Sequence, residues 1–199
     1  MEKQLIISLG REYGSGGHDI AEDLANRFDL PLYDNNLLEE IANSKSVDKE
    51  DLKKYDERSR IPFFTRNVRG HSNSIEENMA KLQFEYLKMM AERGDSFVIV
   101  GRCAEYVLRD FACLVSIFVL ADQEAKIERI MKKFDLSRDA AKAQIKKENF
   151  NRKAYHNSHC PVKWGDSRNY EFSINSSKLG YDVTTDMIEV YVRKRYEKM

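Results

Sequence analysis

Residues 10–17 hold four glycines in eight positions and are well suited to bind an anion. An apolar run, residues 5–9, comes before them, and from His18 the apolar residues recur with helical spacing, so the pattern predicts strand, glycine-rich loop and helix in that order. Such a loop directs backbone N–H groups and a helix N-terminus towards one point, where a phosphate group can bind. The alternative is a structural strand-to-helix turn, although four glycines are more than a tight turn needs.

The loop departs from the usual phosphate-binding motif G-x-x-x-x-G-K-[ST]. With Gly16 as the second glycine of the motif, Arg11 stands at the first glycine, Gly17 at the lysine and His18 at the hydroxyl residue that binds magnesium. The sequence therefore predicts a loop of similar shape that lacks the lysine and the hydroxyl group. Arg11 or Lys133 could supply the missing positive charge.

Composition favours one globular domain that acts on small molecules. The chain has 199 residues, 42% of them hydrophobic, which is enough for a core. It holds 33 Lys and Arg against 33 Asp and Glu, so no overall basic field favours nucleic acid or an acidic membrane. No apolar run approaches the roughly 20 residues of a membrane helix, and no secretory signal precedes the first strand, so we expect a cytoplasmic protein.

Cysteine and histidine show no metal-binding spacing. Three cysteines and four histidines are widely separated: Cys103, Cys113, Cys160, His18, His71, His156 and His159. His156, His159 and Cys160 lie close in sequence, but they fall short of the four ligands of a structural zinc site. We therefore expect reduced thiols and no metal site in this part of the sequence.

Apolar runs alternate with amphipathic segments along the chain. Strands are predicted near residues 5–9, 30–33, 97–100, 114–120 and 170–174. Helices are predicted near residues 18–28, 37–43, 75–93, 104–109, 123–133, 137–150 and 183–196, with Ser137 as an N-cap. This alternation indicates an α/β fold with a mainly parallel sheet of about five strands. Asp34 and Arg102 follow predicted strands, at the sheet edge where ligands bind in such folds.

A polar stretch, residues 44–75, interrupts this alternation and looks like a helical excursion or flap. Its four arginines could meet an anionic substrate or form part of a solvated surface; they are Arg58, Arg60, Arg66 and Arg69.

The assembled pattern resembles the bacterial cytidylate kinase-like family, which is similar to the P-loop nucleoside monophosphate kinases. The matching segments cover nearly the whole chain in order: SLGREYGSGGHDIA from Ser8, LYD from Leu32, VIVGRCA from Val98, IERI from Ile127 and YEFSINS from Tyr170. The resemblance implies a single P-loop kinase-like domain, 1–199, of three-layer α/β/α architecture. It also implies a helical acceptor-side excursion, 35–95, and a lid-like segment, 135–169.

Members of this family are kinases that move the γ-phosphoryl group of ATP to a nucleoside monophosphate with the help of Mg²⁺. By resemblance, the catalytic residues are Arg102, Arg129 and Arg152. The residues that bind ATP are Arg11, Gly14, Ser15, Gly16, Gly17 and His18. Asp34 and Arg102 bind the acceptor, and cytidylate is the acceptor that the family name implies. We expect small nucleotides as partners and neither nucleic acid nor a membrane.

Two functions remain open. A kinase is favoured by arginines on both the donor and the acceptor side. A catalytically weak nucleotide-binding protein, a sensor or scaffold, is favoured by Gly17 at the lysine position, and Asn149 stands where the family usually has a lid aspartate. The sequence leaves the oligomeric state undecided.

Overall fold

The computed structural model describes residues 3–34, residue 37 and residues 75–199, and of residues 75–78 the backbone only. Within these ranges there are five strands and six α-helices. The strands are β1 (Ile6–Arg11), β2 (Leu32–Tyr33), β3 (Phe97–Val100), β4 (Leu114–Leu120) and β5 (Phe172–Asn175). The helices are α1 (Gly17–Phe28), α2 (Ile75–Arg93), α3 (Ala104–Val107), α4 (Gln123–Phe134), α5 (Arg138–His159) and α6 (Ser176–Glu197). A short 3-10 helix, Ser167–Asn169, precedes β5.

The strands form one parallel sheet in the order β2-β3-β1-β4-β5, which confirms the predicted α/β class. The central strand β1 pairs with β3 and β4, with Ile6 opposite Phe97 on one side and Leu114 on the other. Helices cover both faces of a parallel sheet, which is why its central strands are continuous apolar runs. The carboxyl ends of β1, β2 and β3 share one edge, and this edge carries Arg11, Asp34 and Arg102.

Two hydrophobic layers enclose the sheet and confirm the three-layer architecture. On one face, Leu87 and Met90 of α2 pack with Ile6 and Ile99. On the other face, the buried side chains of α1 and α6 pack with alternate residues of the same strands; they are Ile20, Leu24, Ile188 and Val192 against Ile7, Leu9 and Val98. Neighbouring strand residues point to opposite faces, so each strand contributes to both layers.

A third apolar cluster joins α4 and α5 to the glycine-rich loop. Ile127 and Ile130 of α4 are buried against Ala141 and Ile145 of α5, and Tyr13 of the loop packs on them. Helix α5 is therefore held against the loop by hydrophobic contact.

The helix boundaries differ from the sequence prediction at two places. Helix α5 begins after Ser137, whose side chain caps it as predicted, but it continues to His159 rather than ending near residue 150. The predicted end near residue 150 was wrong, because helix-breaking residues come only later, at Pro161. Helix α6 begins at Ser176 rather than near residue 183, with a non-helical break at Gly180.

None of the helices that the structure describes has the length and hydrophobicity required to span a bilayer. The predicted helix at residues 37–43 and the polar stretch at 44–75 lie outside the described residues, apart from Leu37 and the first residue of α2. The same holds for Arg58, Arg60, Arg66 and Arg69.

Candidate functional site

The glycine-rich loop connects the end of β1 to the start of α1. Gly14 and Gly16 have φ angles of 81° and 79°, a region that favours glycine. Gly16 is also required by a close approach, because a Cβ atom at this position would lie 1.7 Å from Cε1 of Tyr181. The loop therefore has the left-handed turns and close packing that its glycines predicted.

Part of the loop backbone already has hydrogen-bond partners. The amide of Tyr13 donates to Oδ1 of Asn149 over 2.6 Å, and the amide of Ser15 donates to the carbonyl oxygen of Glu12 over 3.3 Å. Within the part of the chain that the structure describes, the amides of Gly14 and Gly16 donate to no acceptor. These two N–H groups and the N-terminus of α1 are the groups available to an anion.

Side chains from α4 and α6 donate hydrogen bonds to carbonyl groups of the loop. Arg129 donates to the carbonyl oxygen of Gly14 and lies 3.9 Å from the ring centroid of Tyr181. Burial lowers the pKa of Arg129. The hydroxyl of Ser176 donates to the carbonyl oxygen of Ser15 over 2.6 Å. The loop is thus braced at two successive carbonyl groups.

A buried ion pair adds a third brace. Nζ of Lys126 lies 2.8 Å from Oε2 of Glu12, and the lysine side chain is only 7% exposed. The same carboxylate oxygen accepts from the amide of Ala121 over 3.3 Å. Since Lys126 is committed to Glu12, it does not replace the lysine that the loop lacks. Lys133 lies 3.8 Å from Asp19, on the exposed side of α1.

Three arginines converge beside the loop at the carboxyl edge of the sheet. Arg11, Arg102 and Arg152 line one cavity of about 270 Å³. Nη1 of Arg152 donates to the carbonyl oxygen of Arg11 over 3.1 Å, so the end of β1 and helix α5 meet here. The Arg102 guanidinium lies 6.0 Å from the ring centroid of Tyr155, which also lines the cavity.

The electrostatics of this cavity favour an anion. Burial, and then the positive charges of Arg152 and Arg102, lower the pKa of Arg11 to about 9, while Asp34 acts in the opposite direction. Burial also lowers the pKa of Arg152. Nε of Arg11 is buried and has no hydrogen-bond partner among the described residues. A phosphate group would supply both the missing acceptor and the missing negative charge.

The turn after β3 directs Arg102 into this cavity. Gly101, Arg102 and Cys103 have φ angles of 77°, 59° and 55° in succession. For a residue other than glycine this left-handed conformation costs about 1–2 kcal/mol. Nη1 of Arg11 would lie 2.3 Å from a Cβ atom at Gly101, so a side chain there would displace the Arg11 guanidinium. Strained backbone of this kind is concentrated at functional sites.

Asp34, which follows β2, lies close to His18 of α1. Nδ1 of His18 is 3.8 Å from Oδ2 of Asp34, and the Asp34 side chain is 25% exposed. A carboxylate next to bound phosphates is the usual protein contribution to a magnesium site. Asp34 can take this part, whereas His18 does not supply the hydroxyl oxygen of the usual loop.

The structure brings some of the predicted site residues together and separates others. Arg11, Arg102 and Arg152 share one cavity, whereas Arg129 is not among the residues that line it. Sequence reasoning missed the contact between Asn149 and the Tyr13 amide, although Asn149 lies one helical turn before Arg152. No sequence signal pointed to the packing of Tyr181 on Gly16.

The model of the cytidylate kinase-like family matches residues 6–178. The chain belongs to the cytidylate kinase-like family. The predicted resemblance is thereby confirmed, and the family supports phosphoryl transfer to a small substrate. Comparison with curated protein sequences gives no match.

Solved structures share the fold of this cytidylate kinase-like protein. A protein from Eubacterium ventriosum ATCC 27560, described as uncharacterized, is 36% identical with a TM-score of 0.76, and the match covers 96% of this chain and 99% of that one. A shikimate kinase from Bacteroides thetaiotaomicron is 12% identical with a TM-score of 0.52, over 95% of this chain and 98% of that one. A gluconokinase from Sinorhizobium meliloti 1021 is 11% identical with a TM-score of 0.53, over 100% of this chain and 97% of that one. The last two show the fold alone.

Proposed function

We propose that the protein transfers the γ-phosphoryl group of ATP to a nucleoside monophosphate, and that cytidylate is its acceptor. The observation that carries this proposal is the convergence of Arg11, Arg102 and Arg152 on one cavity beside the glycine-rich loop. Phosphoryl transfer depends on neutralising charge and positioning the reacting groups, and it needs no covalent nucleophile from the protein. The choice of cytidylate rests on the family alone.

The residues at the loop fit the phosphates of ATP. The free amides of Gly14 and Gly16 and the N-terminus of α1 would hold the donor phosphates. The Asp34 carboxylate would hold Mg²⁺ through a ligand position that the phosphates leave open. When bound, magnesium neutralises charge between the phosphoryl oxygens.

The three arginines would bind the acceptor phosphate and the phosphoryl group in transfer. Arg102 and Arg11 lie at the ends of adjacent strands and would clamp the phosphate of the acceptor in a bidentate manner. Arg152 lies on α5, one helical turn after Asn149, which contacts the loop, and it also lines the cavity. From this position it would stabilise the charge on the phosphoryl group in transfer.

An ADP-release assay over a panel of nucleoside monophosphates, with ATP and Mg²⁺, tests the proposal. Arg102→Lys keeps the charge but loses the bidentate fork, so we expect kcat/KM for the acceptor to fall by about 10–100-fold, mainly through KM. Arg109→Lys is the matched control, because Arg109 is exposed and stacks on Tyr106 at 4.1 Å. Equal kinetics for both variants would reject the proposed role of Arg102. Absence of ADP release with every acceptor would reject the proposed kinase activity.

Two observations favour a second candidate, a nucleotide-binding sensor or scaffold with weak catalysis. Gly17 stands where the loop lysine is expected, and the Tyr13 amide already donates a hydrogen bond to Asn149. This candidate predicts ATP binding, measured by calorimetry, without ADP release for any acceptor in the panel.

A further inference from the structure

A compact cluster of metal-ligand side chains lies next to the arginine cavity. Cys103 comes from the turn after β3, and His156 and Cys160 come from the end of α5. One potential ligand atom from each lies within 4.8 Å of the other two. The three residues are 2%, 4% and 5% exposed, respectively.

The chemistry of this cluster matches a zinc site with three protein ligands. Two thiolates and one imidazole nitrogen form the Cys₂His set that holds zinc with a fourth position open. At the usual Zn–S and Zn–N lengths, ligand atoms are about 3.5–3.8 Å apart, so side-chain movements of about 1 Å would close the site. Soft thiolates select zinc over magnesium or calcium.

A carboxylate already orients the imidazole of this cluster. Oε1 of Glu105 lies 2.6 Å from Nε2 of His156, and the side chain of Glu105 is 3% exposed. Histidines that bind a metal commonly donate their other ring N–H to a carboxylate, which fixes the orientation of the ring. Glu105 and His156 thus have the arrangement that surrounds metal-bound histidines, and both lie at the wall of the arginine cavity.

We propose that Cys103, Cys160 and His156 bind a zinc ion and that Glu105 positions the His156 imidazole. Binding releases the two thiol protons to solvent, and Zn²⁺ with two thiolates carries no net charge. This neutral zinc–dithiolate centre therefore adds no net charge beside Arg102 and Arg11. Sequence spacing did not reveal the site, because Cys103 is 53 residues before His156 and only the fold joins them.

Such an ion would fasten the end of α5 to the turn that carries Arg102. Cys103 follows Arg102 directly, and His156 lies one helical turn after Arg152. The ion would thus fix the distance between two arginines that line the cavity, Arg102 and Arg152. Zinc binding by these three residues requires neither an acceptor nor kinase activity.

Metal binding by the full-length protein tests the proposal. The reduced protein, freed of metal by a chelator, is titrated with Zn²⁺ and separately with Co²⁺, whose absorption spectrum reports thiolate ligands. We expect one ion per chain and thiolate-to-cobalt absorption in the wild type. Cys113→Ser is the matched control, since Cys113 is a half-buried thiol outside the cluster, and it should bind like the wild type.

Variants within the cluster give the opposite expectation. Cys160→Ser and Cys103→Ser should weaken zinc binding by at least 100-fold and remove the cobalt–thiolate absorption. Glu105→Gln, which keeps all three ligands, should weaken zinc binding by about 10–100-fold. Zinc should raise the melting temperature of the wild type and of Cys113→Ser, and leave that of Cys160→Ser unchanged. Absence of stoichiometric metal in the reduced wild type, or equal binding by Cys113→Ser and Cys160→Ser, would overturn the site.

Discussion

Arg11 is predicted to destabilise the unliganded protein while it serves anion binding, and Arg11→Met separates the two effects. The guanidinium keeps its charge at neutral pH, so the folded protein holds a buried cation beside two others. Methionine has a similar length and carries no charge. The substitution should therefore raise the stability of the unliganded protein and remove its response to phosphate.

The magnitude follows from the electrostatics of the cavity. Burial and the neighbouring arginines lower the pKa of Arg11 from its ordinary value to about 9. At about 1.36 kcal/mol for each pKa unit, the charge costs the folded state at most about 5 kcal/mol. The opposing effect of Asp34 is already contained in this pKa, and relaxation and water penetration lower the cost further, so we expect a gain of about 1–3 kcal/mol in the free energy of unfolding. For a chain of this size the melting temperature should rise by about 2–12 °C.

Thermal unfolding at neutral pH, with and without inorganic phosphate, measures both effects. Phosphate should raise the melting temperature of the wild type and have little effect on Arg11→Met. Arg27→Met is the matched control, because Arg27 is paired with Asp186 and Glu189 at 2.6 and 2.8 Å and its pKa is raised. This control should not gain stability and should keep the phosphate response.

A lower melting temperature for Arg11→Met, with the phosphate response intact, would refute this reasoning. It would mean that the Arg11 charge is satisfied in the folded protein and that the anion binds elsewhere.

Two further predictions concern the loop and α5. Gly16→Ala should unfold the protein or lower its stability by more than about 3 kcal/mol, because of its φ of 79° and the overlap with Tyr181. Gly94→Ala has a similar φ of 88° but open space, so it should cost only about 1–2 kcal/mol in chemical denaturation; equal losses would exclude the overlap as the cause. Arg152→Ala should lower turnover by about 100-fold and weaken the protection that ATP gives to residues 142–160 in hydrogen exchange. Unchanged turnover and protection would leave Arg152 with a structural role.

The central sheet could be predicted because its signal is local. The runs at residues 97–100 and 114–120 are continuously apolar, as expected for strands covered on both faces, and the structure has strands with these bounds. The N-cap of α5 was equally local, since the Ser137 side chain accepts from the amide of Ala140. Such features depend on neighbours within a few residues, which a single sequence contains.

The convergence of side chains could not be predicted in the same way. Motif position indicates each of three arginines separately, and only the strand order and the length of α5 bring them to one cavity; they are Arg11, Arg102 and Arg152. Helix α5 was predicted too short because its last turns are polar, and the partner of His156, Glu105, is 51 residues away. Arg129 was chosen by the same kind of motif, yet its guanidinium contacts the Gly14 carbonyl and the Tyr181 ring. A motif gives the position of a residue in the chain but not the direction of its side chain.

The uninterrupted length of α5 has a consequence for how the two nucleotides would influence each other. At 1.5 Å per residue its 22 residues span about 33 Å, and the helix has no internal break. Asn149 accepts a hydrogen bond from the glycine-rich loop, and His156 is hydrogen-bonded to Glu105 at the wall of the arginine cavity. A tilt of α5 at the Asn149 contact would therefore also displace His156, and the reverse holds as well. If ATP shifts this helix and thereby changes the affinity for the acceptor by some factor, thermodynamic reciprocity requires the acceptor to change ATP affinity by the same factor.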